Sequence, residues 1–280
     1  MVLDSLREAL ARMVDTPVLW ITGLFMGALL ALDLSLQVGG NTILGSRIGF
    51  LGLCALPFFL GGSYGAIRGG DPGLRGYLRA GARYYFRILL SGAVIVAAAF
   101  LTVFLVMIPF TFLGGSLQAT MTLSLLGVAI PFAFFTFFFD TAVVFEDRKV
   151  LDSIRRSVEF VLGNPGRVVA FYLVNLAIGM LIFLVSVVIW SFTIADRLQP
   201  FMEVNQTVFQ NMNMTTEQVL NLIGVSGLWA GAIIGFFTVM IGGTFLLSFK
   251  ACLFKGHTSA SASAAPVQGE FDEKGRWYRY

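Results

Sequence analysis

The sequence is poor in the residues that usually carry chemistry: it has one histidine, two cysteines and only 12% charged residues. Since His257 is the only imidazole, a zinc site built from several histidines and a Ser-His-Asp triad within this chain are excluded. Cys54 and Cys252 lie in apolar runs, so we expect no disulfide framework. Hydrophobic residues make up 57% of the chain. Together with a mean hydropathy of +0.82, this composition is typical of an integral membrane protein.

The apolar residues are grouped into stretches that are long enough to cross a bilayer. A helix that spans a hydrocarbon core of about 30 Å needs about 20 apolar residues. We therefore predict an all-α polytopic protein with a transmembrane domain over residues 17–253, an amphipathic N-terminal segment over 1–16 and a tail over 254–280. Six predicted spans run from Pro17 to Leu36, Ile48 to Ile67, Ile88 to Leu113, Ala119 to Phe145, Val168 to Ile194 and Leu222 to Leu253.

The basic residues predict the orientation of the spans. Six spans place both termini on one face of the membrane, and only Arg47 and Arg197 of the 19 Lys and Arg residues fall on the other face. Because cytoplasmic loops carry the excess of Lys and Arg, we expect both termini to be cytoplasmic and the protein to reside in the cell membrane. The same rule places the loop 195–221 outside the cell.

Two of the predicted cytoplasmic connections have the pattern of amphipathic helices. The segment Asp71–Arg87 begins with Asp-Pro, a helix-start signal. The segment Asp147–Gly163 has apolar residues at helical spacing and ends in a Gly-Asn-Pro stop signal. We expect both to be elbow helices that lie in the headgroup layer.

The two elbow segments also suggest an internal duplication. Aligning Asp71 with Asp147 places Arg79 on Arg155, and a Pro-Phe sequence precedes each elbow, at Pro57 and Pro131. A parallel duplication of a span, elbow and span unit explains this likeness. A shared membrane composition would explain it equally well.

The predicted external loop contains two N-glycosylation patterns. They are Asn205-Gln206-Thr207 and Asn213-Met214-Thr215, neither of which has Pro in the middle. Asn205 and Asn213 are therefore candidate glycosylation sites, although such tripeptides also occur by chance.

Asp140 and Lys250 are charged residues inside apolar runs. A charge in a membrane span faces a partner or a cavity, because its exposure to lipid is costly. One interpretation is a proton or ion site at Asp140. The interpretation that we favour is structural, with Asp140 paired to Lys250 on the last span or to an elbow arginine.

Glycines recur four residues apart in three of the predicted spans. This spacing puts the glycines of each span on one helix face and allows close approach of backbones. Packing within the monomer explains them, and a homodimer seam is the alternative. The predicted packing glycines are Gly23, Gly27, Gly61, Gly65, Gly227, Gly231 and Gly235.

Arginines follow one another at helical spacing along the first elbow. Close to an anionic surface each arginine contributes on the order of 1 kcal/mol, so such a stripe favours anionic lipid headgroups or an acidic partner. The alternative is that the arginines only anchor the topology. The candidate contacts are Arg75, Arg79, Arg83 and Arg87 on the first elbow and Arg155 and Arg156 on the second.

The stretch from Asp140 to Asn164 resembles a pattern of uncharacterised six-span proteins of archaea and bacteria. Its features are an acidic end of a span, an amphipathic helix with Arg156-Ser157, and the turn Gly163-Asn164. This group is similar to the membrane domain attached to some glycerophosphodiester phosphodiesterases. No hydrophilic region here is long enough for the soluble phosphodiesterase domain, so the resemblance implies no hydrolase activity.

These observations favour a non-enzymatic scaffold, accessory subunit or lipid-organising component of a membrane assembly. Its expected partners are membrane lipids and other membrane subunits or a second copy, with no nucleic acid, metal or cofactor. The alternative is a transporter of a small molecule or lipid, whose path would run between two halves. An enzyme is the third alternative.

Overall fold

The computed structural model describes residues 2–39, 41–69, 71–112, 117–196, 216–264, 269–271 and 277–279. Nearly all of these residues are helical, which confirms the predicted all-α class. The helices are α1 (Val2–Asp15), α2 (Trp20–Val38), α3 (Thr42–Arg68), α4 (Leu74–Phe112), α5 (Leu117–Thr136), α6 (Phe139–Phe145), α7 (Val150–Gly163), α8 (Pro165–Thr193) and α9 (Thr216–Ala264). A 3-10 turn, Pro17–Leu19, joins α1 to α2. The candidate glycosylation sites Asn205 and Asn213 lie outside the described residues.

Among the described residues, six helical segments are long and apolar enough to cross a membrane, which confirms the predicted number of spans. They are Pro17–Gln37, Ile43–Arg68, Leu74–Pro109, Ser124–Phe145, Pro165–Thr193 and Ile223–Thr258. The fourth span is made of α5 and α6, which are separated by a break at Phe137 and Phe138. The sixth span lies in α9, whose backbone leaves the helical region at Gly224 with φ 65° and ψ 170°. Glycine adopts this positive φ without the steric cost of a Cβ atom.

Three boundaries differ from the sequence predictions. The first elbow is helical from Leu74 but continues into the third span as one helix, α4, since no proline interrupts the sequence near Arg87. The helix α9 begins at Thr216, inside the predicted loop 195–221, and continues to Ala264, inside the predicted tail 254–280. Alternating Ala and Ser permit this extension, because alanine has the highest helix propensity. The strands β1 (Gly269–Phe271) and β2 (Trp277–Arg279) then pair antiparallel.

The helices form three units rather than two halves. Each unit begins with an amphipathic helical segment and continues with two spans, and the three segments start at Val2, Leu74 and Val150. Residues 2–7, VLDSLR, and residues 150–155, VLDSIR, differ only at Leu6 and Ile154. The offset that aligns Asp71 with Asp147 relates the second unit to the third. The likeness between residues 2–7 and residues 150–155 places the N-terminal segment in the same repeat.

The three amphipathic segments bury corresponding positions. The fourth residue of each is Ser5, Tyr77 or Ser153, and the eighth is Ala9, Gly81 or Ser157. All six are buried, whereas the sixth residue of each segment is an exposed arginine, namely Arg7, Arg79 or Arg155. These positions recur at helical spacing, so each segment has one buried face.

Each amphipathic segment packs against the last span of the unit before it. The start of α4 packs against α3, α7 packs against α5 and α6, and α1 packs against α9. The amphipathic segment of the first unit therefore contacts the last span of the third unit. The three segments surround one end of the bundle. We call this the elbow end; it carries α1, residues 74–87 of α4, and α7.

Candidate functional site

A buried ion pair lies at the centre of the elbow end. The Lys250 Nζ atom is 2.7 Å from Asp140 Oδ1 and 2.8 Å from Asp140 Oδ2. The Tyr64 hydroxyl donates to Asp140 Oδ2 at 3.1 Å, and the backbone N–H of Thr141 donates to Asp140 Oδ1 at 2.7 Å. Tyr64, Asp140 and Lys250 come from the last spans of the three units, so this cluster joins all three.

Aromatic rings enclose the ion pair. The Lys250 Nζ atom lies 4.1 Å from the centroid of the Phe137 ring, a cation-π contact that partly replaces lost hydration. The rings of Tyr64 and Phe138, both fully buried, lie 5.8 Å and 6.0 Å from the same Nζ atom. The pair is thus shielded from solvent, and both carboxylate oxygens of Asp140 are engaged.

Ser157 on α7 satisfies the backbone at the break in the fourth span. The backbone N–H of Phe138 donates to Ser157 Oγ at 3.0 Å, and the Ser157 hydroxyl donates to the Phe135 carbonyl at 2.8 Å. Within lipid an unpaired backbone group costs several kcal/mol, so a broken span needs such a partner. The hydroxyl thereby positions α6 and, with it, Asp140.

Two further contacts join the units around this centre. Arg68, at the end of α3, donates to the Val144 carbonyl at 2.7 Å and to the Tyr84 hydroxyl at 2.9 Å. Asp147 has a positive φ of 55° and accepts from Arg83 at 3.1 Å and from Arg87 at 2.5 Å. These contacts connect α3 with α4 and α6, and α4 with the turn between α6 and α7.

The structure divides the six candidate arginines into two groups. Four of them form ion pairs: Arg83 and Arg87 with Asp147, Arg155 with Glu159, and Arg156 with Glu146. Within the described ranges Arg75 and Arg79 have neither an ion pair nor a hydrogen bond. The predicted stripe therefore contributes to joining the units through Arg83 and Arg87, and leaves Arg75 and Arg79 exposed.

An open cavity of about 400 Å³ lies between the end of α3 and the start of α4. Its charged lining consists of Arg68, Arg79 and Arg83 with one carboxylate, Asp71. The Asp71 Oδ1 atom accepts a hydrogen bond from the backbone N–H of Gly73 at 2.9 Å. We call this site, defined by Arg68, Arg79 and Arg83, the arginine cradle.

The predicted packing glycines lie at contacts between elements of this chain. A Cβ atom at Gly23 or Gly27 would collide with backbone atoms of α9, and one at Gly65 would collide with Ala80. The nearest atoms on other elements belong to Tyr84 for Gly61, Ile194 for Gly227, Trp190 for Gly231 and Leu30 for Gly235. Packing within the monomer therefore explains these glycines.

Three residues of the site, Tyr64, Ser157 and Arg68, were not predicted from the sequence. Tyr64 and Ser157 are single polar residues in apolar or amphipathic stretches, and nothing in their immediate sequence indicates a partner. Arg68 was treated only as a topology charge. The repeat of residues 2–7 at 150–155 is a sequence signal that would have revealed the third unit.

Comparison with known proteins gives a family but no described relative. Residues 1–253 match the family model described as Domain of unknown function (DUF7847). No curated protein and no solved structure matches the chain. The comparisons show no link to glycerophosphodiester phosphodiesterases, and the likeness over residues 140–164 stays a prediction. Because the match covers residues 1–253, which is more than half of the chain, the chain belongs to the DUF7847 family.

Proposed function

We propose that this protein is a non-enzymatic scaffold that organises lipids at the face of the membrane where its elbow end lies. The observation that carries the proposal is the ring of three amphipathic segments. Each exposes large apolar side chains: Leu3, Leu10 and Val14 on α1, Leu74 and Leu78 on α4, and Leu151 and Leu162 on α7. An exposed arginine stands in the same position of each segment, at Arg7, Arg79 and Arg155.

Exposed apolar side chains together with an exposed arginine are typical of helices that lie in the layer between headgroups and acyl chains. An amphipathic helix in that layer inserts its apolar side chains between lipids and keeps its cationic groups at the phosphates. Three such segments around one bundle would hold a shell of anionic lipids. The buried polar groups Tyr64, Asp140 and Lys250 are engaged with one another, so none of these three is left to act on a substrate.

The experiment is to extract the protein from its native membrane in a polymer belt that retains neighbouring lipids. Mass spectrometry then gives the lipids and proteins that accompany it. We expect anionic lipids to be enriched over their share in the whole membrane. A lipid composition equal to that of the membrane, together with a stoichiometric protein partner, would overturn the lipid-organising role in favour of an accessory subunit.

Two matched variants test whether this enrichment of anionic lipids depends on the amphipathic segments. Leu151 and Leu162 on α7 are 69% and 64% exposed, and their replacement by serine should weaken the enrichment. Leu125 and Leu126 on α5 are also exposed, at 57% and 52%, but lie outside the amphipathic segments. Their replacement by serine should leave the enrichment unchanged.

A transporter is the second candidate, and one cavity favours it. A groove of about 350 Å³ between α2, α8 and α9 is lined by Asn175, Gly179, Thr238 and Gly242, among others. Among the described residues the Asn175 Oδ1 atom has no hydrogen-bond partner. A Cβ atom at Gly179 or Gly242 would meet nothing within 4 Å, so Gly179→Leu would fill the groove without a backbone collision. If vesicles containing the protein take up a solute or flip a lipid, and Gly179→Leu stops this, the transporter hypothesis replaces ours.

A further inference from the structure

The arginine cradle has a strongly positive lining. Three guanidinium groups and one carboxylate line it, which leaves an excess of two positive charges. Arg68 uses Nη1 for its bonds to Val144 and Tyr84, and Arg83 uses Nη2 for its bond to Asp147. Arg79 has no partner within the described ranges. The cavity therefore offers unused guanidinium donors, which phosphate oxygens satisfy particularly well.

The arginine cluster is not repeated at the junction between the second and third units. In the alignment that places Asp71 on Asp147, Arg68 corresponds to the hydrophobic residue Val144 and Arg83 to the acidic residue Glu159. Arg79 corresponds to Arg155, so only this member is shared. The second junction is assembled without the other two arginines, so a cluster of three guanidinium groups is found only at the first of these two junctions.

An apolar strip continues from the cradle along the same face of α4. Residues 79, 83, 86, 90, 93 and 97 recur at spacings of three and four, so they share one helix face. Phe86 is 75% exposed and Leu90 is 55% exposed. Ala93 and Ala97 then form the floor of a shallow groove flanked by Val96, Phe100, Leu101 and Phe104.

The length of this strip matches one leaflet. At a rise of about 1.5 Å per residue, the distance from Phe86 to Ala97 is about 16 Å. Half of a hydrocarbon core of about 30 Å is about 15 Å. A guanidinium cluster followed by an apolar groove of this length has the shape of an anionic lipid, with its phosphate at the cradle and one chain along α4. A soluble phosphate would use only the cradle.

We propose that the arginine cradle binds the phosphate of one anionic phospholipid, whose acyl chain lies along α4 from Phe86 to Ala97. This inference rests on the proposed lipid-organising function and assigns it a specific site. Arg68 and Arg79 hold the phosphate together with Arg83, which also remains paired with Asp147. Phe86 and Leu90 contact the first part of the chain, and the small side chains of Ala93 and Ala97 accommodate the rest.

The test compares phosphatidylglycerol with phosphatidylcholine of identical acyl chains. The full chain, purified in a mild detergent, is titrated with each lipid, and bound lipid is counted by native mass spectrometry. We expect one phosphatidylglycerol to bind more tightly than any phosphatidylcholine. Arg79→Gln should weaken this binding about five-fold, and the double variant Arg68→Gln/Arg79→Gln should weaken it further.

The matched control is Arg75→Gln. Arg75 lies one turn before Arg79, is exposed and lacks a partner within the described ranges, but does not line the cradle. Its replacement removes the same charge from the same helix and should change phosphatidylglycerol binding less than about two-fold. Since neither Arg75 nor Arg79 has a partner to lose among the described residues, we expect both single variants to unfold at the same temperature as the wild type.

Three outcomes would overturn the proposal in distinguishable ways. If Arg75→Gln and Arg79→Gln weaken phosphatidylglycerol binding equally, the arginines act only as a diffuse surface charge, and the proposed function survives without this site. If excess inorganic phosphate displaces the bound lipid completely, the cradle is a site for a soluble phosphate. If the wild type binds both lipids equally, the proposed function fails together with the site.

Discussion

Tyr64 donates a hydrogen bond to Asp140, which lies 76 residues further along the chain. The same separation divides the first residues of α4 and α7, so both side chains stand at the same position relative to the amphipathic segment that follows them. Corresponding positions of consecutive units therefore meet at the centre of the elbow end. The third unit contributes Lys250, which neutralises the carboxylate. A polar cluster built in this way joins the repeats to one another.

Removing one charge of the central pair should destabilise the protein strongly. Lys250→Met leaves Asp140 uncompensated in a buried site, and the loss of one partner of such a pair costs about 3–5 kcal/mol. The double variant Asp140→Leu/Lys250→Met removes both charges and should recover most of this loss. Thermal unfolding in detergent, followed by circular dichroism, measures the difference.

The control for this experiment is Asp33→Asn. Asp33 lies on α2 at the opposite end of the bundle, where it accepts an exposed hydrogen bond from Gln37 at 2.7 Å. Its replacement should leave the unfolding temperature nearly unchanged. A double variant of the central pair that is no more stable than Lys250→Met would contradict the coupling of Asp140 to Lys250.

Ser157→Ala should destabilise the break in the fourth span. The substitution leaves the backbone N–H of Phe138 without its acceptor and the Phe135 carbonyl without its donor. An unsatisfied buried polar group costs about 1–3 kcal/mol. Ser191 is half-buried and makes an exposed hydrogen bond to its own helix, at the Val187 carbonyl, so Ser191→Ala is the control. Equal unfolding temperatures for the two variants would show that Ser157 does not support the break.

A methyl group added at Gly23 should separate α2 from α9. The Cβ atom would collide with Thr244 and with the Met240 carbonyl, which belong to the packed face of α9. At Gly49, on α3, a Cβ atom meets nothing within 4 Å. We therefore expect Gly23→Ala to lower the unfolding temperature, whereas Gly49→Ala should raise it slightly because alanine favours the helix. The account of the glycines fails if Gly23→Ala is as stable as the wild type.

The orientation in the membrane is still a prediction from the basic residues. A glycan acceptor or reporter placed near Asn205 should be located outside the cell, and one fused after Tyr280 should be in the cytoplasm. Equal reporter activity on both sides, or cytoplasmic labelling near Asn205, would contradict the predicted topology.

The sequence predicted the spans and the elbows because their signals are local. Apolar length predicts a span, and apolar spacing predicts an amphipathic helix, as the helices α7 and α8 show. The break at Phe137 and Phe138 was not predicted, because it depends on Ser157, which lies 19 residues from Phe138. The continuation of the first elbow into the third span was not predicted either, although no proline interrupts the sequence near Arg87.

The candidate site was predicted in part. Because a buried charge is costly, the sequence predicted Lys250 as a partner for Asp140. The structure contains this ion pair. Tyr64 completes the cluster by a hydrogen bond from the first unit to the second. A contact of this kind can be predicted from the sequence only after the repeat is recognised. The four candidate arginines of the first elbow share one spacing pattern, yet only Arg83 and Arg87 form an ion pair within the described ranges, both with Asp147.

The central claim is that water does not reach the centre of the elbow end. Cys252 provides a native probe of this claim. Cys252 is fully buried and lies two residues from Lys250 on α9. In a variant with Cys54→Ser it is the only thiol, so a small water-soluble thiol reagent reports on water access to the centre. A static scaffold predicts no labelling of the protein in native vesicles and full labelling after denaturation. Labelling of Cys252 in the folded protein would show a water-accessible path, and the transporter hypothesis would then replace the scaffold.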